Sequence, residues 1–184
     1  RSCSDPTTPG ATKMHEKRNK NAPKRGIPVK NAHEFAVSVE WTGNRGEGTR
    51  SARGFGREHR VSAAGKPALE ASSARVFHGD AARWNPEEEL IAALSQCHML
   101  SYLYVATAAG VVVEEYQDEA SGTLVVDPDG AGRFREVVLR PAVTISAGDP
   151  ERARALHAEA NALCFIANSV NFPVRHEPQL VVRA

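Results

Sequence analysis

One stretch constrains this chain more than any other. Residues 86–109 read PEEELIAALSQCHMLSYLYVATAA, and Asn85 stands directly before them. Asn85 can cap a helix, Pro86 suits the first helical position, and Glu88 stands where a capping box wants an acid. Gly110 supplies the stop. At about 1.5 Å per residue such a helix is roughly 36 Å long. Leu90, Leu94, Cys97, Ser101, Tyr104 and Ala108 form one stripe along it; Ile91, His98, Tyr102 and Val105 form another. From Leu90 onward the helix is apolar or small nearly all round, and a helix of that kind is buried on most sides.

Strands surround this helix in the sequence. Phe35, Val37, Val39 and Trp41 alternate with Ala36, Ser38 and Glu40, the period of a half-buried strand. A turn over residues 42–46 leads to a returning strand expected over residues 49–55. Gly65-Lys66-Pro67 marks a further hairpin before residues 68–71. Beyond the helix, residues 111–120 and 122–126 read as strands. Asp127-Pro128-Asp129-Gly130 is a turn, and residues 134–146 read as one long strand with Pro141 at a bulge or edge. Asp149-Pro150-Glu151 opens a second helix, with Ala153, Leu156, His157, Ala160, Leu163, Cys164 and Ala167 as its buried face. Residues 179–183 make a final edge strand. Strand hairpins around segregated helices specify an α+β fold.

With 184 residues and 41% hydrophobic content the chain builds one core. Residues 1–32 stand apart from it as a basic extension, and the domain is expected over residues 33–184. Residues 1–30 hold eight Lys and Arg against two Asp and Glu, and so few large apolar side chains cannot offset the entropy of folding. No base-stacking aromatics lie there, so no nucleic-acid partner is expected. No basic-then-apolar secretory leader and no run of eighteen apolar residues is seen, which points to a cytoplasmic protein with no membrane partner. Cys3, Cys97 and Cys164 make neither a disulfide scaffold nor a zinc spacing. Gly43-Asn44-Arg45-Gly46-Glu47-Gly48-Thr49 lacks the Gly-Lys-Ser/Thr ending of a nucleotide loop. No metal and no organic cofactor is expected.

Chemistry centres on Cys97 and Cys164. Each lies on the apolar face of a core helix, where a cysteine can simply pack. If the two meet, one can be oxidised to a sulfenic acid and the other can condense with it. Burial makes a thiol inert, so a reactive Cys97 needs a cation nearby. An arginine held by a carboxylate fits that need. Arg83, Arg75 and Arg45 lie in loops, and Glu87 and Glu88 at the helix start; Glu87 also suits the helix dipole without any catalytic role. Ten residues put Glu87 about 15 Å from Cys97 along one helix. A second, antiparallel copy would bring its own Glu87 to Cys97. A homodimer with sites at the interface follows.

The run Trp84-Asn85-Pro86-Glu87-Glu88 with Ala93-Leu94-Ser95-Gln96-Cys97-His98-Met99-Leu100 resembles the signature of the osmotically inducible protein C / organic hydroperoxide resistance (OsmC/Ohr) family. So does the segment from Cys164 to Val174, CFIANSVNFPV, and so do Val39–Asn44 and Phe77-His78-Gly79-Asp80. The resemblance implies an intertwined homodimer with long helices packed between antiparallel sheets. It implies thiol-dependent reduction of organic hydroperoxides, and less efficiently of hydrogen peroxide, with an external lipoyl- or thioredoxin-type dithiol as reductant. Cys97 then matches the peroxide-attacking cysteine, Cys164 the resolving cysteine and Glu87 the helix-start glutamate, with Arg83 favoured as the arginine over Arg75 and Arg45. Departures are Phe165-Ile166-Ala167-Asn168 where one branch has Pro-Tyr-Ser, Asn161 where relatives often hold His, and His78 where many hold Arg. His78 and His98 read as hydrogen-bonded structural residues, His98 facing away from Cys97. The rival reading is a non-enzymatic dimeric module that binds a small apolar ligand at its interface.

Overall fold

Asn85 has extended backbone, and its Oδ1 accepts the Glu88 N–H at 3.0 Å. That cap, Pro86 behind it and three glutamates in the first turn start helix α1, Pro86–Ala108. Gly110 ends it with φ +71, which lets the Val111 N–H reach back to the Ala106 carbonyl at 3.0 Å. The structure, a computed structural model, describes residues 32–183. Cys3 and residues 1–31 of the expected extension lie outside the described residues.

Before α1 lies a small antiparallel sheet of β1 (Ser38–Trp41), β2 (His59–Ser62) and β3 (Leu69–Ala71). The expected return over residues 49–55 is instead a run of turns and bends, and the returning strand starts later, at His59. The chain comes back where Gly56 donates to the Gly43 carbonyl at 2.8 Å and accepts the Trp41 Nε1–H at 2.9 Å. A Cβ on Gly43 would stand 2.3 Å from the Gly56 oxygen, so this approach needs glycine. The apolar alternation into β1 is present, yet Val37 and Val39 are 69% and 66% exposed. No element among the described residues covers them.

After α1, β4 (Val112–Asp118), β7 (Pro141–Ala147) and β9 (Gln179–Val182) form one sheet in the order β4-β7-β9. Strands β5 (Ser121–Val126), β6 (Gly132–Leu139) and β8 (Val174–His176) form another in the order β5-β6-β8. The single long strand expected over residues 134–146 is therefore two strands in two sheets. Pro141 has no N–H with which to continue a ladder, and Arg140 at the break donates its N–H to Asp118 Oδ1 at 2.6 Å. Strands β5 and β6 are an antiparallel hairpin and β4 pairs antiparallel with the more distant β7, whereas β8 and β9 add parallel edges to β6 and β7. Short β8, set between Pro173 and Pro178, carried no strand signal of its own.

Helix α2 (Pro150–Leu163) starts at Asp149, whose Oδ1 accepts the Glu151 N–H at 3.1 Å. It lies on α1 and buries Ala153, Leu156, His157 and Ala160. Ala153, Leu156 and Ala160 form one core cluster with Tyr102, Val105, Val143 and Ile145; Leu94, Val137 and Leu139 form a second under the first half of α1. The expectation that α1 is buried on most sides fails within the single chain. Leu94, His98, Tyr102, Val105 and Ala106 face inward, while Leu100 and Tyr104 on the other side are 63% and 71% exposed. By length and composition alone α1 is also apolar enough to cross a membrane. Core helices meet that test equally, and α1 spends its inner face on α2 and the sheets.

Candidate active site

Cys97 lies midway along α1, half-buried. Cys164 is the residue at which α2 ends: its φ of −70° and ψ of 109° leave the helix, and its side chain is buried. That exit turns the chain into a short 3-10 turn, Ala167–Ser169, whose Ala167 N–H donates to Cys164 Sγ at 3.4 Å. The Cys164 thiol also lies near the Cys97 side chain, close enough for the two to influence each other. Two residues distant in sequence thus bring their sulfurs together. Burial pushes the Cys164 thiol up to about 11, the Cys97 contact pushes the same way, and the Ala167 and Ile166 amides oppose it. At neutral pH Cys164 is a protonated thiol.

Beside Cys97 opens a cavity of about 550 Å³, lined among others by Leu100, Ser101, Tyr104, Leu163 and Phe165. No charged side chain lines it. Leu163, expected on the buried face of α2, is about half exposed and forms part of this wall. The arrangement offers a sulfur nucleophile at the foot of an apolar wall, with a second thiol at its side.

The structure does not bring the other two candidates to Cys97 within one chain. Glu87 sits in the first turn of α1, and its Oε2 is buried with no hydrogen-bond partner among the described residues. Arg83, in the loop before α1, is held by Glu70 at 3.1 Å and Asp80 at 3.6 Å. The carboxylates that orient Arg83 are therefore Glu70 and Asp80, not Glu87. Glu70 is on β3 and also pairs with Arg60 across the strands at 2.8 Å, a link that only the register Arg60↔Glu70 creates. Arg75 lies in an exposed 3-10 turn, Arg75–Phe77, and Arg45 in an exposed turn built on the Asn44 side chain.

His98 faces away from Cys97 into the core, where its Nε2 meets His157 Nδ1 at 3.0 Å. Burial pushes His98 down to about 4 and His157 to about 3, with neighbouring imidazoles adding to the effect and Asp118 opposing it at His98. His176 joins the pair from β8. Sequence reasoning missed this grouping of three. Its legible traces were His98, read as a hydrogen-bonded residue facing away from Cys97, and His157 on the apolar face of α2. His78 takes left-handed backbone with φ +66 and stays exposed; its N–H bonds the Arg75 carbonyl.

The family model for OsmC-like protein matches residues 78–179, from the turn ahead of α1 to β9. This chain belongs to the OsmC/Ohr family. An OsmC-like protein of unknown function from Vibrio cholerae O1 biovar eltor is 32% identical, with a TM-score of 0.72 over 80% of this chain and 99% of that one. An organic hydroperoxide resistance protein from Elizabethkingia anophelis, solved with thiocyanate bound, shares 18% identity and a TM-score of 0.58 over 82% of this chain and 99% of its own. At that identity it establishes the OsmC fold alone. The uncharacterized protein YmaD of Bacillus subtilis is 24% identical over 143 residues, 75% of this chain and 87% of its own.

Proposed function

We propose that this OsmC-family chain is a two-cysteine thiol peroxidase that reduces organic hydroperoxides. The observation that carries this reading is the nearness of Cys164 to Cys97, which itself lines an apolar cavity. The Cys97 thiolate attacks the outer peroxide oxygen, the O–O bond breaks, and the alkoxide leaves as an alcohol after taking a proton. Cys97 becomes a sulfenic acid. The Cys164 thiol displaces its hydroxyl as water, giving the Cys97–Cys164 disulfide. An external dithiol of the lipoyl or thioredoxin class restores both thiols by exchange. The name of the Elizabethkingia relative, a hydroperoxide resistance protein, agrees with this chemistry.

The active unit in this reading is a homodimer in the cytoplasm. Support comes from the open apolar face of α1, the uncovered side of β1 and the unpartnered buried oxygen of Glu87. An antiparallel second copy buries those faces, and Arg83 of the partner subunit, anchored by carboxylates, supplies the cation that favours the Cys97 thiolate. The apolar wall then selects alkyl or lipid hydroperoxides over hydrogen peroxide.

Steady-state turnover of an alkyl hydroperoxide with a dithiol tests the reading. Cys97→Ser is expected to abolish it, and Cys164→Ser to stop it after one equivalent. Full turnover by Cys97→Ser ends the proposal. The same cavity would favour a non-enzymatic module for small apolar ligands; that reading is supported if Cys97→Ser binds such a ligand as wild type does while neither protein consumes peroxide.

A further inference from the structure

Helices α1 and α2 are tied at two points, and a third approach follows where α2 ends, the three running in opposite directions along the two. Tyr102 Oη donates to the Ala153 carbonyl at 3.1 Å, His98 Nε2 meets His157 Nδ1 at 3.0 Å, and Cys164 lies near Cys97. The middle tie adjoins the reactive pair on both sides. His98 follows Cys97 directly, and His157 precedes Cys164 by two helical turns on the same face of α2.

The ring geometry defines what this tie is. The His98 and His157 planes differ by 13° with centroids 5.4 Å apart. With a 3.0 Å nitrogen separation, that is the geometry of rings joined edge to edge by an in-line N–H···N bond. One ring donates and the other accepts, so their tautomers are complementary. The Tyr102 ring lies on the face of His157 at 4.1 Å, and His176 from β8 stands 5.5 Å from His98. Both helical rings are fully or nearly fully buried. Among the described residues no three His, Cys, Asp or Glu side chains are arranged to hold a metal, and the nitrogens that face each other are used by the bond.

We infer that the His98–His157 hydrogen bond is a positioning contact for disulfide closure, fixing α2 against α1 so that Cys164 Sγ lies within reach of Cys97. Aliphatic contacts such as those of Leu156 and Ala160 tolerate a small slide of one helix on the other. A directional bond in a dry core does not. Disulfide formation has narrow geometric demands, with sulfurs about 2 Å apart and a defined torsion. The step served is Cys97–SOH plus Cys164–SH giving the disulfide and water. It rests on the peroxidase reading above, with the hydroperoxide as oxidant.

Two matched pairs of variants test this. Asparagine at 157 keeps a polar atom near the place of Nδ1, whereas His157→Leu removes it. Glutamine at 98 keeps one near the place of Nε2, whereas His98→Asn withdraws it. The first readout is the equilibrium of the Cys97–Cys164 disulfide in glutathione buffers, which gives the effective concentration of one thiol at the other without any peroxide. The second is the yield of trapped Cys97 sulfenic acid after one equivalent of alkyl hydroperoxide. His157→Leu and His98→Asn are expected to lower the effective concentration about tenfold or more and to accumulate sulfenic acid; His157→Asn and His98→Gln are expected to stay within about threefold of wild type. The rate of the first oxidation of Cys97 stays unchanged in all four. Wild-type effective concentration in folded His157→Leu and His98→Asn overturns the inference, as does equal loss in both members of each pair. Should His157→Leu fail to fold, the His98 pair decides alone. If hydroperoxide leaves Cys97 untouched in every protein, the peroxidase reading falls while the glutathione equilibrium still judges the positioning role.

Discussion

On its inner face α1 presents Leu94, His98, Tyr102 and Val105; on its outer face it presents Cys97, Leu100, Ser101 and Tyr104. The inner face includes two polar rings and is closed. The outer face is apolar and open, with Leu100 and Tyr104 largely in solvent. Hydropathy alone would not sort them this way. His98 and Tyr102 go inside because each finds a directed partner on α2. Leu100 and Tyr104 stay outside because nothing among the described residues covers them. A large apolar face left open on a folded chain marks a surface made for another molecule, and here Cys97 sits in it.

Breaking the inner face gives the largest expected effect. Leu94 is fully buried between α1 and β6, and Leu94→Ala is expected to cost about 3 kcal/mol of chain stability, read by urea unfolding. A cost below about 1 kcal/mol would mean that this side of α1 is not the packed one. Acid probes the same face. His98 and His157 take up protons in the folded chain only near 4 and 3, against 6.5 when unfolded. Between those values the unfolded state binds more protons, so stability falls as pH drops from 6.5 toward 4. The slope is up to about 1.4 kcal/mol per pH unit for each ring. Asp118 on β4 and His176 on β8 face the pair and set its balance. Urea midpoints that stay flat from pH 7 to 4.5 would contradict neutral, buried imidazoles.

Asn85→Ala, at the start of the helix, is expected to cost about 1 kcal/mol through loss of the Glu88 N–H bond, again by urea unfolding. The outer face yields the smallest effect on the isolated chain. Leu100→Ser is expected to change stability by less than about 0.5 kcal/mol at high dilution. Under the proposed homodimer, wild-type Tm is expected to rise with protein concentration, and Leu100→Ser is expected to remove that rise. A concentration-independent Tm in wild type would leave the outer face without a second copy to cover it.

Much of the fold could be read in the residues. Asn85-Pro86 and Gly110 bounded α1 to within a residue because caps are local chemistry. Asp149-Pro150 marked the start of α2 in the same way, but the helix ends at Leu163, short of the Cys164 and Ala167 expected on its face, because Cys164 leaves helical backbone there. The misreadings were of non-local origin. Residues 134–146 look like one strand until Asp118 takes the Arg140 N–H and the chain changes sheets. Residues 49–55 hold no turn signal strong enough to show that the return waits for the Gly43–Gly56 contact. In the site, Cys97 stands on α1 as its helix stripe suggested, whereas Cys164 stands just past the end of α2 and not on its face. The holding of Arg83 by Glu70 depends on strand register, and the His98–His157–His176 group spans three elements; neither leaves a spacing in the sequence.

The central claim is that Cys97 and Cys164 act as one redox unit. Intact mass spectrometry after one equivalent of an alkyl hydroperoxide, followed by peptide mapping, tests it most directly. The expected product has lost two hydrogens, with Cys97 joined to Cys164 and Cys3 unmodified. A chain that keeps both thiols free under excess hydroperoxide, or joins either to Cys3 instead, contradicts the account.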